Sequence, residues 1–224
     1  MEIRVLTWNL FHGRAVPPAG RDLLDEYTAT LAGWRWDVAL LQEVPPWWPR
    51  PLAEAAGASY ARVLTSRNFA LPLRRALAIR WPDRVRSNGG GCNAILVRGA
   101  RIVEHRRRRV RWRPERRLVH AVRLDTGLWV ANVHLTVPRD DPGQLDLGRA
   151  ARAVEQWSAG APLVFGGDVN QRRPEVRGLV HVAGHHVDHV FVRGLRRRAK
   201  AELLEHGRLS DHAPLAVELA SEDD

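Results

Sequence analysis

Carboxylates, amides and histidines recur in this chain where apolar runs stop. Thr7-Trp8-Asn9-Leu10 closes the first run, Leu41-Gln42-Glu43-Val44 the second, and Ala131-Asn132-Val133-His134-Leu135 a central one. Phe165-Gly166-Gly167-Asp168-Val169-Asn170, Val187-Asp188-His189-Val190 and Leu209-Ser210-Asp211-His212-Ala213-Pro214 follow. Polar groups set at strand ends converge on one rim of a sheet, where rigid elements hold them for catalysis. Glu43 follows the apolar stretch Val38 to Leu41, in a strand that should be buried. A buried acid without a partner is costly, and Mg²⁺ is held by one or two carboxylates plus water and phosphate oxygens, so a divalent cation is the natural partner for Glu43. Asp168 and Asn170 are two apart. On an extended segment both point the same way and address one water or one phosphate oxygen, while Gly166 and Gly167 let the backbone come close. An Asx-type turn would account for the glycines alone.

The remaining histidines are read as structural: His105, His120, His181, His185, His186, His189 and His206. His185, His186 and His189 have a spacing that suggests zinc, but extended alternation places odd and even positions on opposite faces. His12, in Asn9-Leu10-Phe11-His12-Gly13-Arg14, is a further group able to approach the site.

The elements that must position these groups are legible as periodicity. Strand-length apolar runs occupy Ile3 to Trp8, Val38 to Val44, Ala94 to Val97, Leu118 to Leu124, Leu128 to Leu135, Leu163 to Phe165, Val187 to Val192 and Pro214 to Leu219. Helical patterns cover Asp22 to Gly33, Trp47 to Ala56 and Gln144 to Trp157, the last with Leu145, Ala150, Ala153, Val154 and Trp157 on one stripe. Strands and helices mixed over the whole length predict an α/β or α+β fold, with helices covering sheet faces. No repeat, linker or low-complexity tract divides residues 1–224, which are expected to form one domain.

Cys92 is the only cysteine, which excludes an internal disulfide and a cysteine-based zinc site and fits a reducing compartment. The apolar stretches are too short to span a bilayer, and the N-terminus enters a strand pattern without a basic-then-apolar leader. A soluble cytoplasmic protein is expected, of unspecified oligomeric state. The net charge is +10, with Lys200 the single lysine among 35 Lys and Arg. So one-sided a choice points to codon bias, yet the positive field is physical and attracts polyanions, which favours nucleic acid as partner. The run Arg106 to Arg117, interrupted by Val110, Trp112, Pro114 and Glu115, is either a solvated strand edge or a nucleic-acid strip with Trp112 as stacking platform. Trp47 and Trp48, in Pro-Pro-Trp-Trp-Pro just beyond Glu43, fall where a rim loop should be and are candidates to stack on a base or sugar.

The six motifs, in their order from Thr7 to Pro214, resemble the endonuclease/exonuclease/phosphatase superfamily. The resemblance implies a four-layer sandwich, two mixed β-sheets packed face to face with helices on the outside and the active site at the sheet edge. It implies Mg²⁺ or Mn²⁺ held by Glu43, with Asn9 and Asp211 completing its surroundings. Asp168 would orient or deprotonate the attacking water and Asn170 would support the transition state. His134 and His212 would clasp the scissile phosphate, with Asp188 orienting and charging His212. Arg117 matches a phosphate-contacting position, a role its neighbour Arg116 could also take. Two departures stand out. The segment Ser87 to Asn93 offers no acid to partner His134, and no insertion corresponds to those that grip duplex DNA in some members. The resulting expectation is a metal-dependent phosphodiesterase acting on nucleic acid. Its rivals are a phosphatase or phosphodiesterase of a small or lipid-linked phosphoester, and a non-catalytic nucleic-acid-binding module.

Overall fold

A computed structural model describes residues 1–65, 68–84, 91–137 and 142–222. Each apolar run read from the sequence is a strand: β1 Glu2–Asn9, β2 Val38–Val44, β4 Cys92–Val97, β6 Arg117–Leu124, β7 Trp129–His134, β8 Leu163–Asp168, β10 Asp188–Arg193 and β13 Leu215–Ser221. The helices are α1 Leu24–Gly33, α2 Pro49–Ala55 and α4 Pro142–Ser158. Five further strands carry too few consecutive apolar residues to be read from pattern: β3 Ser59–Leu64, β5 Ile102–Arg111, β9 Val180–His185, β11 Leu195–Arg197 and β12 Glu202–Leu203. A further helix, α3, spans Leu71–Arg80.

The strands form two mixed sheets. One has seven strands in the order β11-β13-β1-β2-β4-β3, with β12 also on β13; the other has six, in the order β5-β6-β7-β8-β10-β9. Period-2 alternation divides their side chains among three apolar layers. Ile3, Val5, Val38, Leu40, Val130, Val164 and Val190 fill the space between the sheets. Leu6, Trp8, Ala39 and Leu41 face Tyr27 and Leu31 of α1 and Leu52 of α2. Ala131, Val133 and Phe165 face Leu147, Ala150 and Val154 of α4. Layers of helix, sheet, sheet and helix result. The stripe of α4 is centred on Leu147 rather than Leu145, which is 61% exposed, because the sheet contacts the i, i+3, i+7 set that begins at Leu147. Among the described residues, no helix is long and apolar enough to cross a membrane.

Toward one end the inter-sheet layer turns polar. The inward positions run Val5, Thr7, Asn9 on β1, Leu40, Gln42 on β2, Val130, Asn132, His134 on β7 and Val164, Gly166, Asp168 on β8. Gln42 Nε2 donates to Asn132 Oδ1 at 2.8 Å, and Asn132 Nδ2 donates to the carbonyls of Leu41 and Ala94, each at 2.9 Å. These bonds join the two sheets just beneath the rim. Gly167 admits the close approach: its φ is +128°, and a Cβ there would lie 2.1 Å from Val133 O and 2.9 Å from Asn132 Oδ1. Gly167→Ala combines a disfavoured φ with a backbone clash, and the expected loss is about 2–5 kcal/mol of stability, read as a lower urea midpoint. An unchanged midpoint would show that the rim does not depend on this contact.

Candidate active site

Register sets the site. In β7 and β8, which run parallel, His134 lies opposite Asp168; in β8 and β10, antiparallel, Asp168 lies opposite Asp188. One row of three polar side chains therefore crosses three adjacent strands, all buried. The facing sheet contributes Asn9 from the end of β1, whose Nδ2 donates to Asp168 Oδ2 at 3.0 Å. His212 arrives on the loop before β13, and its Nδ1–H donates to Asp188 Oδ2 at 2.7 Å. Its Nε2 stands 4.0 Å from both Asp168 Oδ2 and Asp211 Oδ1.

That loop is held by groups to which the sequence reading gave no role. Ser210 Oγ donates to Asn9 O at 2.6 Å and accepts from the His212 N–H at 3.1 Å, while Trp8 Nε1 donates to His212 O at 2.9 Å. The Ser-Asp-His order was the available signal for Ser210, since a serine two residues before a turn commonly bonds the backbone ahead of it. For Trp8 the local sequence offered none.

Asn170 corrects an expectation. The chain leaves β8 after Asp168 and Asn170 adopts φ 53°, so strand alternation no longer applies. Its backbone N–H donates to Asp168 Oδ1 at 2.9 Å, an Asx-type turn, and its Nδ2 donates to Leu135 O at 2.9 Å. Asn170 thus orients Asp168 and ties it to the end of β7. Glu43 also leaves extended geometry, with φ 48°. This turns its carboxylate into the cleft, where Oε2 lies 3.0 Å from His12 Nε2 and Oε1 lies 3.7 Å from His134 Nε2. Asp168 Oδ2 is 3.5 Å from the same His134 nitrogen. The carboxylates near His134 therefore come from β2 and β8. Residues 87–90 of the Ser87 to Asn93 segment lie outside the described residues.

Electrostatics divide the two histidines. Burial, reinforced by the charges of Arg117, His12 and His212, drives the pKa of His134 well below its ordinary value, so His134 is neutral. Burial works against a charged His212 as well, but the Asp188 hydrogen bond and the Asp188, Asp168 and Asp211 charges outweigh it and raise its pKa to about 9. Burial and the facing Asp188 carboxylate raise the pKa of Asp168, against the His212 charge and the bonds from Asn9 and Asn170.

Arg117 is buried at the start of β6, ion-paired to Glu115 at 2.7 Å, and its charge reaches His134. Arg116 instead donates to the carbonyls of Leu64 and Thr65, clamping the β5–β6 turn to the end of β3. Trp48 is a core residue, 2% exposed, with its ring against Gly13 and Tyr27, and it has no face to offer a base. Trp47 is half-buried against the same core cluster and lines a small cleft with His12. His189 is spent on structure: its Nε2 bonds Gln171 O at 2.9 Å and its Nδ1 meets His181 Nε2 at 3.0 Å. The zinc spacing of His185, His186 and His189 brings no such cluster together among the described residues.

Among the described residues, acid and histidine ligand atoms within 4.8 Å of one another belong to Asp168, Asp188 and His212, a different set from the Asn9, Glu43 and Asp211 expected to hold a metal. The second is chemically suited to a hard cation: Glu43 faces the cleft, Asp211 is exposed, and the Asn9 oxygen, which accepts from Phe11 N–H at 3.0 Å, keeps a second lone pair.

The fold recurs in solved structures. An endonuclease/exonuclease/phosphatase protein from Beutenbergia cavernae is 19% identical, with TM-score 0.74 over 98% of this chain and 72% of that one. Truncated TDP2 from Caenorhabditis elegans is 16% identical, TM-score 0.69, with 98% of each chain covered. The mannosyl-6-phosphatase Bt3783 of Bacteroides thetaiotaomicron is 16% identical, TM-score 0.72, over 97% and 99%. No curated protein matches the sequence. The sequence model described as Endonuclease/Exonuclease/phosphatase family matches residues 6–212, which span every residue of the polar row and its partners, and the chain belongs to that family.

Proposed function

We propose that this chain is a divalent-metal-dependent phosphodiesterase that cleaves nucleic acid by in-line attack of water. The observation that supports it best is the row His134, Asp168, Asp188 with His212 clamped on Asp188 at 2.7 Å. Two buried carboxylates face one another directly, an arrangement that a binding surface would not need and that proton transfer does. Asp168 is the base: Asn9 and the Asn170 N–H fix its two oxygens, and its raised pKa strengthens it as a proton acceptor from water. His212, charged and held at Nδ1, presents Nε2–H to a phosphate oxygen or to the departing oxygen. Neutral His134 and buried Arg117 donate to the remaining phosphate oxygens. Water supplies the new P–O bond and its proton passes to Asp168, while the leaving oxygen departs with a proton. Mg²⁺ or Mn²⁺ bound by Glu43, Asn9 and Asp211 would neutralise charge on the phosphate and the leaving oxygen.

Net charge +10 favours a polyanion over a small phosphoester, the rival that shares the same residues. The deciding experiment is metal-dependent turnover of bis-p-nitrophenyl phosphate, followed by single- and double-stranded DNA, abasic DNA, RNA, nucleotides and inositol phosphates. Highest kcat/KM on a nucleic acid is expected. Preference for an inositol phosphate would transfer the assignment to the rival, and no turnover would leave only binding.

Glu43→Ala is expected to weaken Mg²⁺ binding with the fold intact and to regain part of its activity in excess Mn²⁺. Calorimetry showing wild-type Mg²⁺ affinity would remove Glu43 from the metal site. Asp188→Asn and His212→Ala should each cost about 10² to 10⁴ in rate at neutral pH, and the double variant should be little worse than His212→Ala alone. Because Asp188 is what keeps His212 protonated up to about pH 9, the alkaline limb of the Asp188→Asn profile should move toward acid. Additive losses or an unmoved limb would separate the two residues.

A further inference from the structure

An open groove of about 670 Å³ lies beside the site, between the segment that follows β3 and the β5–β6 turn; Leu64, Thr65, Phe69, Trp112, Pro114 and Arg116 line it. Its size falls in the range of about 300–1,000 Å³ usual for ligand clefts. Two aromatic rings stand open on it, Phe69 at 71% and Trp112 at 59% exposure. Two exposed rings on one groove, unlike a single exposed apolar side chain, offer a contiguous surface for a ligand. Each carries a guanidinium over one face: Arg74 lies 4.1 Å from the Phe69 centroid and Arg109 lies 4.5 Å from that of Trp112. Among the described residues lining the groove the one acid, Glu115, is ion-paired with Arg117. The wall is thus aromatic and cationic.

The groove wall is linked to the candidate site by a short chain of contacts. Thr65, in its wall, bonds Gly91 O through both its N–H and its Oγ, each at 2.9 Å; the side-chain position at Gly91 lies 3.6 Å from His12 Cε1; and His12 pairs with Glu43. On its other side the β5–β6 turn leads directly into Arg117. Arg116 of the groove wall and the buried Arg117 are thus consecutive residues.

We propose that this groove is a base-stacking subsite for single-stranded nucleic acid, in which unpaired bases lie on Trp112 and Phe69 while Arg74 and Arg109 supply positive charge for the backbone. The proposal rests on the phosphodiesterase reading and narrows its substrate class. A duplex keeps its bases stacked on each other, so exposed rings gain nothing from it; unpaired bases of any sequence present a π-face to each ring.

The test is a fluorescence-anisotropy titration in EDTA, which silences cleavage, with a single-stranded oligothymidylate, the same backbone without bases, a blunt duplex and polyglutamate. Trp112→Ala and Phe69→Ala are each expected to weaken oligothymidylate binding about 5- to 150-fold, with Trp112→Phe restoring most of it. The abasic polymer, the duplex and polyglutamate should bind the variants and the wild type alike. Both rings are exposed, so thermal midpoints and turnover of bis-p-nitrophenyl phosphate should stay at wild-type values. Unchanged oligothymidylate affinity overturns the subsite, as does an equal loss on the abasic polymer, which would mean charge alone, or on polyglutamate, which would mean an acidic protein partner. If the wild type hydrolyses no phosphoester, the functional reading fails while the EDTA titration still judges the groove.

Discussion

The hydrogen bond from Gln42 to Asn132 governs how the two halves of the site meet. Apolar contacts between sheets hold them together but tolerate sliding, whereas a buried amide bond has a fixed length and direction, and leaving it unmade costs about 1–3 kcal/mol. Here Asn132 also donates to Leu41 and Ala94, so one side chain of the six-stranded sheet is bonded to three groups of the other. One residue row further out, Asn9 reaches Asp168 across the same gap. The polar groups of the candidate site inherit their spacing from these bonds. Gln42 pairs with Asn9 in β1, and Asn132 precedes His134 by one inward position.

Above that layer the arrangement is dominated by charge in a dry place. Asp168 and Asp188 face each other in a buried place, and His212 with the donors from Asn9 and Asn170 relieves the repulsion. The same conflict gives each group its reactivity: a carboxyl that holds its proton more tightly than usual and an imidazole that stays charged well above neutrality. Glu43 lies at the wetter edge, turned outward by a left-handed backbone and paired with His12. Backbone strain of that kind at a cleft is what supporting structure makes affordable.

The arginine excess proves mixed in its use. Arg111 is bonded to Asp146 of α4, Arg108 to Gln156 on the same helix, Arg106 to Glu104, and Arg116 to the carbonyls after β3. Much of the densest charge run is thus edge-strand and turn structure, as an exposed edge favours. Arg109 and Arg74 differ, each lying over an exposed ring.

The sequence by itself determined the long strands and three helices, because burial on one or both faces imposes apolar runs of period 2 or 3.6, and it marked the polar residues that end those runs. It left β3, β9, β11 and β12 unread and offered β5 only as one of two readings of the arginine run, since edge strands such as β5 expose most of their side chains and carry arginine where a core strand carries valine. It identified Asp188 and His212 as partners only through family resemblance; their contact joins residues 24 apart through the register of β10 and the loop before β13. Alternation misjudged Asn170, because one left-handed residue ends the rule, and a tryptophan pair in a rim loop looked alike in sequence although Trp48 is buried and Trp47 is not. Tertiary structure alone decided which polar groups meet across the sheets, which arginine turns inward, and that Phe69 and Trp112 share one groove, because those facts depend on contacts between segments whose own sequences do not encode each other.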